Sequence, residues 1–363
     1  MTLNCTITGN AARNLPLDIS LNVEPGMRVA LVGPNGCGKT STLRILAGLD
    51  AAEHGTTISL NNRTLLTDTA RTSVHAWQRG IPMVFPEPRL VPSFTVHRSV
   101  EQVAKLKRTR TAAHNITQEL LRAFDIEHLR DRRVRTLSSG QTARVSLARA
   151  LACEGGALLL DEPFANLDSG SASESRRLLS RYATEHDLPL IFTSHQVLDV
   201  FALATHIAVL EAGELVQFAS VSEVASLPRS HFAAEFLGLN LIPVAANTDS
   251  HAAIIAMDAS APTPCEVHLD YAPSASRFVS CAPTDVTLEL PTSSPSDLVS
   301  TRNHWTMQVS HIEVMGSLAR VELEGLFPLR ADITTRSVAH LALQPGTTVR
   351  ASIKATALRL YGA

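Results

Sequence analysis

Residues 27–40, Met-Arg-Val-Ala-Leu-Val-Gly-Pro-Asn-Gly-Cys-Gly-Lys-Thr, decide the fold of this 363-residue chain. Met27 to Val32 reads as a short buried strand, Gly33 to Gly38 as a glycine-punctuated loop, and Lys39 to Leu49 as a helix. The loop fits the pattern G-x4-G-K-[ST], whose successive backbone N–H groups form a concave anion nest at a helix N-terminus. Gly33, Asn35, Gly36, Gly38 and Ser41 belong to that cradle, the Lys39 ammonium is placed to neutralise the outer phosphates, and the Thr40 hydroxyl is placed to ligate Mg²⁺.

Two further apolar runs, Ala157 to Leu160 and Leu190 to Thr193, each end in polar residues, as central parallel strands do when their carboxyl ends carry a site. The first runs into Asp161 and Glu162, one acid for a metal and one for a water beside the terminal phosphate. The fold class is therefore α/β, of the phosphate-loop NTPase kind. Between Arg98 and Arg135 the composition becomes helical and Arg-rich, so a helical insertion is expected over about residues 87–155, opened by the proline-rich stretch Pro82 to Pro92. After about Leu237 the texture changes to short β-like runs separated by Ser, Pro and Thr, which points to a separate small β-barrel, with residues 291–299 (PTSSPSDLV) as a linker inside it.

Composition narrows the classes further. Hydrophobic residues make up 45% and charged residues 18%, with a formal net charge of −2. Neither a disordered chain nor a polybasic nucleic-acid binder is compatible with that balance. The arginines Arg130, Arg132, Arg133 and Arg135 interleave with Asp125, Glu127 and Asp131 and read as a solvated face, so no nucleic-acid partner is expected. Five scattered cysteines with no CxxC pair point to reduced thiols in the cytosol and away from a structural zinc site. Cys37, inside the phosphate loop, invites a test for alkylation sensitivity. No apolar run reaches the ~18 residues that cross a bilayer, so a membrane role would be peripheral.

Leu137-Ser-Ser-Gly-Gln141 lies between the phosphate loop and Leu158-Leu-Leu-Asp-Glu-Pro163, and Ala165-Asn-Leu-Asp168 and Ser194-His195 follow in order. With these five motifs the chain resembles the ATP-binding subunit of an ABC transporter over about residues 1–236. The resemblance implies ATP and Mg²⁺ as cofactors and a homodimer in which Ser138, Gly140 and Gln141 of one chain close over the γ-phosphate held by the other. It further implies that Thr40 and Asp161 hold the metal, Glu162 polarises the attacking water, His195 clamps the γ-phosphate, Lys39 serves catalysis, and Asp168 couples the two sites. A helix beginning at Ser138 would offer the phosphate a second positive pole. Three departures stand out. Pro86 occupies the position where the family places a Gln that contacts Mg²⁺ and water, which leaves open a subunit that binds ATP but barely hydrolyses it. No Phe, Trp or Tyr occurs in the first 22 residues, where the family stacks adenine, so base selectivity should be weak. Ser139 replaces the first Gly of the signature, tolerable where its φ is negative.

Residues 237–363 resemble the β-barrel extension of importer-type subunits, and about residues 299–361 resemble the oxyanion-binding barrel of molybdate-binding proteins (the TOBE/Mop type). The matching residues are Ser300-Thr-Arg302-Asn, Thr334-Thr-Arg-Ser337 and Lys354, the last being one of only four lysines. Arg302 and Lys354 can balance a dianion while Ser300, Thr334 and Ser337 donate hydroxyl hydrogen bonds. The resemblance implies a site shared between two subunits, and a regulatory role in which cytosolic oxyanion shuts import. The expected function is the ATPase of a molybdate or tungstate importer, docked on integral membrane permease subunits at the cytoplasmic face of the plasma membrane and served indirectly by an external solute-binding protein. The alternatives are the same engine for sulfate, sugar, polyamine or iron, and a soluble ATP-dependent oxyanion-sensing switch.

Overall fold

The computed structural model describes residues 1–68, 72–245, 252–255, 266–269, 278–291 and 303–361. The chain divides into two compact units, Met1–Val224 and Ala225–Ala363. The boundary expected at 236/237 thus falls earlier, because the short helix His231–Phe236 packs on strand Asn240–Ala245 of the second unit.

The first unit is built on an eleven-stranded sheet. Its parallel centre consists of His206–Glu211, Arg28–Val32, Leu190–Thr193, Leu158–Leu160 and Met83–Val84, in that spatial order. Every residue of Leu158–Leu160 and Leu190–Thr193 is buried, which explains why these strands read as unbroken apolar runs. The register pairs Leu31 with Thr193 and Leu160 with Phe192, so three strands deliver their carboxyl ends to one place. An antiparallel flank contains Leu3–Asn10, Leu15–Val23, Thr57–Leu60 and Arg63–Thr67. Along Leu15–Val23 the buried positions alternate, with Leu17, Ile19, Leu21 and Val23 packed into the core and polar side chains outward.

The phosphate-loop helix, Lys39–Ala47, ends at Gly48, whose left-handed φ of 76° returns its N–H to the carbonyls of Arg44 and Ile45. The buried Arg79 donates Nη1 to the Ile45 and Leu46 carbonyls at 2.7 and 3.0 Å, satisfying acceptors at the negative end of the helix. Three helices, Val96–Ala104, Arg110–Ala123 and Ser139–Ala152, pack on one another within the Arg-rich region.

The second unit is all-β apart from short helices. One five-stranded antiparallel sheet runs Val286–Glu289, Thr348–Ile353, Asn303–Met315, Leu318–Glu324, with Leu329–Thr334 last. A second runs Glu266–His268, Ala252–Ile255, Asn240–Ala245, Phe278–Cys281, Arg359–Tyr361. They enclose one core as a nearly closed barrel, with Trp305 edge-on to Phe327 at 5.1 Å between ring centres.

Candidate functional site

The phosphate loop leaves the strand Arg28–Val32 at Gly33, where a side chain is impossible: an added Cβ would collide with the Leu210 carbonyl oxygen. At Gly36 and Gly38 the φ values of 82° and 107° lie in the region open to glycine, and Gly38 caps the helix. Lys39, 7% exposed, donates Nζ to the carbonyls of Gly33 and Pro34 at 2.8 and 2.9 Å, so its charge is fixed inside the curve of the loop. Asn35 is exposed and Ser41 buried at the two ends of this turn. Cys37 is also buried, and that burial pushes its thiol up despite the nearby Lys39 ammonium. Burial and a raised thiol both disfavour the thiolate and argue against the alkylation sensitivity suggested by its position in the loop.

The carboxyl ends of the parallel strands bring four of the expected residues together. The Asp161 carboxylate, 3% exposed, accepts from Thr40 Oγ1 at 3.0 Å and from Thr193 Oγ1 at 2.8 Å through the same oxygen, Oδ1. Thr193 in turn accepts the backbone N–H of Glu162 at 2.9 Å. That bond anchors Glu162, whose φ of 46° is unusual for a residue with a side chain and costs about 1–3 kcal/mol. The strained turn aims the Glu162 carboxylate at His195, with Oε1 2.8 Å from Nε2. Both are partly open to solvent, 33% and 43% exposed, as groups that receive a substrate must be. Oxygen donors from Thr40 and Asp161 side by side suit a small hard cation such as Mg²⁺.

The turn that carries His195 is fixed through its neighbour. Its neighbour Ser194 bonds Asp199, and Asp199 is paired with the buried Arg176 through Oδ1. Thr193, Asp199 and Arg176 were not among the residues expected from the sequence. Thr193 was findable, as a hydroxyl at the end of an otherwise apolar strand. The Arg176–Asp199 pair was not, because 23 residues and a change of element separate its members.

The signature segment folds as a capped helix start. Ser138 accepts from the Gln141 N–H at 3.3 Å, and the Gln141 side chain accepts from the Ser138 N–H at 3.1 Å, a reciprocal capping box. Ser139 is the first helical residue and is absent from the positive-φ positions, so its exchange for glycine is free of strain. Gly140 is buried beneath helix Ser169–Glu185, and an added Cβ would lie 2.6 Å from Ser171 Oγ and 2.7 Å from its Cβ. Replacing Gly140 by Ala should cost about 1–3 kcal/mol in overpacking, offset by about 1 kcal/mol because Ala is the better helix former. Adding Ser171→Gly should relieve the overpacking at about 0.5 kcal/mol of helix propensity, so the double variant should be more stable than Gly140→Ala. Urea melts of the single and double variants check this, and a Gly140→Ala midpoint raised by the full helix-propensity gain would refute the packing. Asp168 caps the same helix, accepting from the Ser171 N–H at 2.9 Å, and this N–H holds its carboxyl below the ordinary value. Pro86 is exposed, two residues past Val84, whose carbonyl accepts the Asp161 N–H at 2.9 Å. Glu87 beside it is exposed as well.

In the barrel, Thr334 caps the helix Thr335–His340 and its hydroxyl lies 2.8 Å from that of Ser337. Both line a cavity of about 540 Å³ together with Thr284, Arg336 and His340. Asp332, on the same wall, is neutralised by a two-pronged pair with Arg320 at 2.7–2.8 Å. Lys354 is exposed, one residue beyond Ile353, which pairs with both Asn303 and Val286, and it does not line this cavity. Ser300 and Arg302 lie outside the described residues.

The chain is similar to known proteins along most of its length. Residues 17–165 match the family described as ABC transporter, and residues 299–360 match the TOBE domain. The molybdenum import ATP-binding protein ModC of Mycobacterium tuberculosis is 31% identical over 96% of this chain and 94% of its own length. The molybdate/tungstate import ATP-binding protein WtpC of Pyrococcus horikoshii is 32% identical over 95% of each chain. A sulfate/thiosulfate import ATP-binding protein, CysA 2 of Agrobacterium fabrum, is 36% identical over 61% of this chain and 64% of its own. Among solved structures, CbiO1 of Clostridium perfringens, part of an ABC transporter complex, superposes with a TM-score of 0.55 at 25% identity, covering 62% of this chain and 90% of that one.

Proposed function

The chain belongs to the ABC transporter family as the ATP-binding subunit of an importer, an ATPase coupled to transport, and from that premise we propose that it drives entry of molybdate or tungstate and senses the same oxyanion in its barrel. The observation that carries the cargo is the hydroxyl pair of Thr334 and Ser337, 2.8 Å apart on the wall of a cavity that also receives Arg336. Two converging hydroxyls beside a cation suit a tetrahedral dianion, and because Lys354 does not line this cavity, the charges of Lys354 and Arg302 would join it only where two copies of the chain share the site. Similarity to molybdenum and molybdate/tungstate proteins through 95–96% of the chain supports the same reading. The sulfate relatives favour a second cargo, sulfate, over a smaller share of the chain.

In the proposed cycle Lys39 and the loop N–H groups hold the phosphates, and Thr40 and Asp161 would hold Mg²⁺, which would supply charge neutralisation at the phosphoryl oxygens. Glu162 orients the water, and His195, braced by Ser194, Asp199 and Arg176, contacts the γ-phosphate. Ser138, Gly140 and Gln141 of a second copy complete each site, and Asp168 links the two. With no helix among the described residues long and apolar enough to cross a membrane, the chain would dock peripherally on permease subunits at the cytoplasmic face.

The test of the cargo is a calorimetric titration of the whole chain with molybdate, tungstate, sulfate and phosphate, repeated on Lys354→Ala and on Thr334→Ala/Ser337→Ala. Micromolar or tighter binding of molybdate or tungstate, weakened at least tenfold in both variants, is expected. Binding of sulfate alone would transfer the cargo to sulfate, and binding of no oxyanion would refute the sensing role.

A further inference from the structure

Outside the nucleotide site, the helical region gathers a set of metal-ligating side chains. His97 and Glu101 stand one turn apart on helix Val96–Ala104, and His114 faces them from helix Arg110–Ala123. One ligand atom from each lies within 4.8 Å of the other two. Positions i and i+4 on one helix share a face, which is why His97 and Glu101 meet. Lys105 donates to Glu101 Oε2 at 2.7 Å, leaving Oε1 for another partner. The second observation concerns His97 alone: its Nε2 is buried and has no hydrogen-bond partner among the described residues. A buried polar nitrogen without a partner is uncommon and calls for an explanation, of which a bound ion is one. His114 is exposed, which leaves the cluster open to solvent on its side.

We propose that His97, Glu101 and His114 bind a divalent transition-metal ion of the Zn²⁺ class. Two imidazoles and one carboxylate form a three-ligand set with a fourth position for water, and nitrogen donors select first-row transition ions over Mg²⁺ or Ca²⁺. The cysteine pattern gave no hint of such a site because it uses none of the cysteines. The ion would tie two helices together next to the signature. Helix Val96–Ala104 packs on helix Ser139–Ala152, and the His97 N–H donates to the Arg130 carbonyl at 2.9 Å, within the segment that leads into Leu137. Thr95 and Arg133 form a bridge in the same place.

The experiment is a calorimetric titration of the nucleotide-free full chain with Zn²⁺, paired with visible absorption spectra of the Co²⁺-loaded protein. It is repeated on His114→Gln, Glu101→Gln and His97→Ala. The expected result is one equivalent of Zn²⁺ lost, or weakened at least tenfold, in each variant, with the Co²⁺ spectrum changed and the Zn²⁺-induced rise in melting temperature removed. His114→Gln, at an exposed position, keeps the test decisive if His97→Ala does not fold. Zn²⁺ stoichiometry and affinity unchanged in His114→Gln would overturn the proposal and assign any binding elsewhere, such as to His195 and Glu162. Absence of binding at micromolar Zn²⁺ would overturn it as well.

Discussion

Glu162→Gln is expected to lower steady-state ATP hydrolysis by about 10²- to 10⁴-fold, the range of a lost general base, while the Kd for ATP stays within a few-fold of the parent. The geometry behind this is specific. Glu162 is the residue after the buried Asp161, held by the Thr193 hydroxyl in a left-handed turn that sets its carboxylate 2.8 Å from His195. The amide keeps the shape of the side chain and its bond to His195 but cannot accept a proton from water. The Pro86 substitution sharpens the measurement. With no side-chain amide at that position to share the water, hydrolysis should depend more completely on Glu162. Turnover within tenfold of the parent would assign the role to another group, with exposed Glu87 next in line.

Lys39→Ala should act on binding. Its ammonium, nearly enclosed, is oriented by the Gly33 and Pro34 carbonyls and is the cation within the phosphate loop. A hydrogen bond to a charged group is worth about 1.5–3 kcal/mol, so Kd for ATP should rise by about 10- to 150-fold. Lys39→Arg should not rescue, because a planar guanidinium does not reproduce the compact ammonium that the Gly33 and Pro34 carbonyls hold in a nearly enclosed position. Calorimetric titration with ATP gives the answer. A Kd within threefold of the parent would mean that the backbone N–H groups alone carry the phosphate.

Much of the engine was legible in the chain because its parts are local. The strand, loop and helix around Gly33–Thr40 occupy one stretch, and Leu158–Leu160 and Leu190–Thr193 announce themselves by complete burial. The antiparallel flank was overlooked although its signal was present: Leu17, Ile19, Leu21 and Val23 alternate with polar residues in plain strand fashion. The convergence of Thr193, Thr40 and Glu162 around Asp161 depends on strand order, which no single segment encodes. The unit boundary moved for a similar reason, since His231–Phe236 belongs by packing to the barrel that follows it. In that barrel Thr334 and Ser337 were named through the resemblance to the oxyanion-binding barrel, and the spacing of three sets them together at a helix start. The His97, Glu101 and His114 cluster was not, because its third member comes from another helix.

In the proposed cycle each ATP is held between two copies of the chain, loop against signature. Light scattering of the Glu162→Gln protein tests it most directly, because a stalled site keeps its nucleotide. With saturating Mg²⁺-ATP the measured mass should double, and the same protein carrying Ser138→Arg, which sets a bulky charge where the signature helix begins, should remain a single chain. A single-chain mass for Glu162→Gln with ATP demonstrably bound would contradict the shared site.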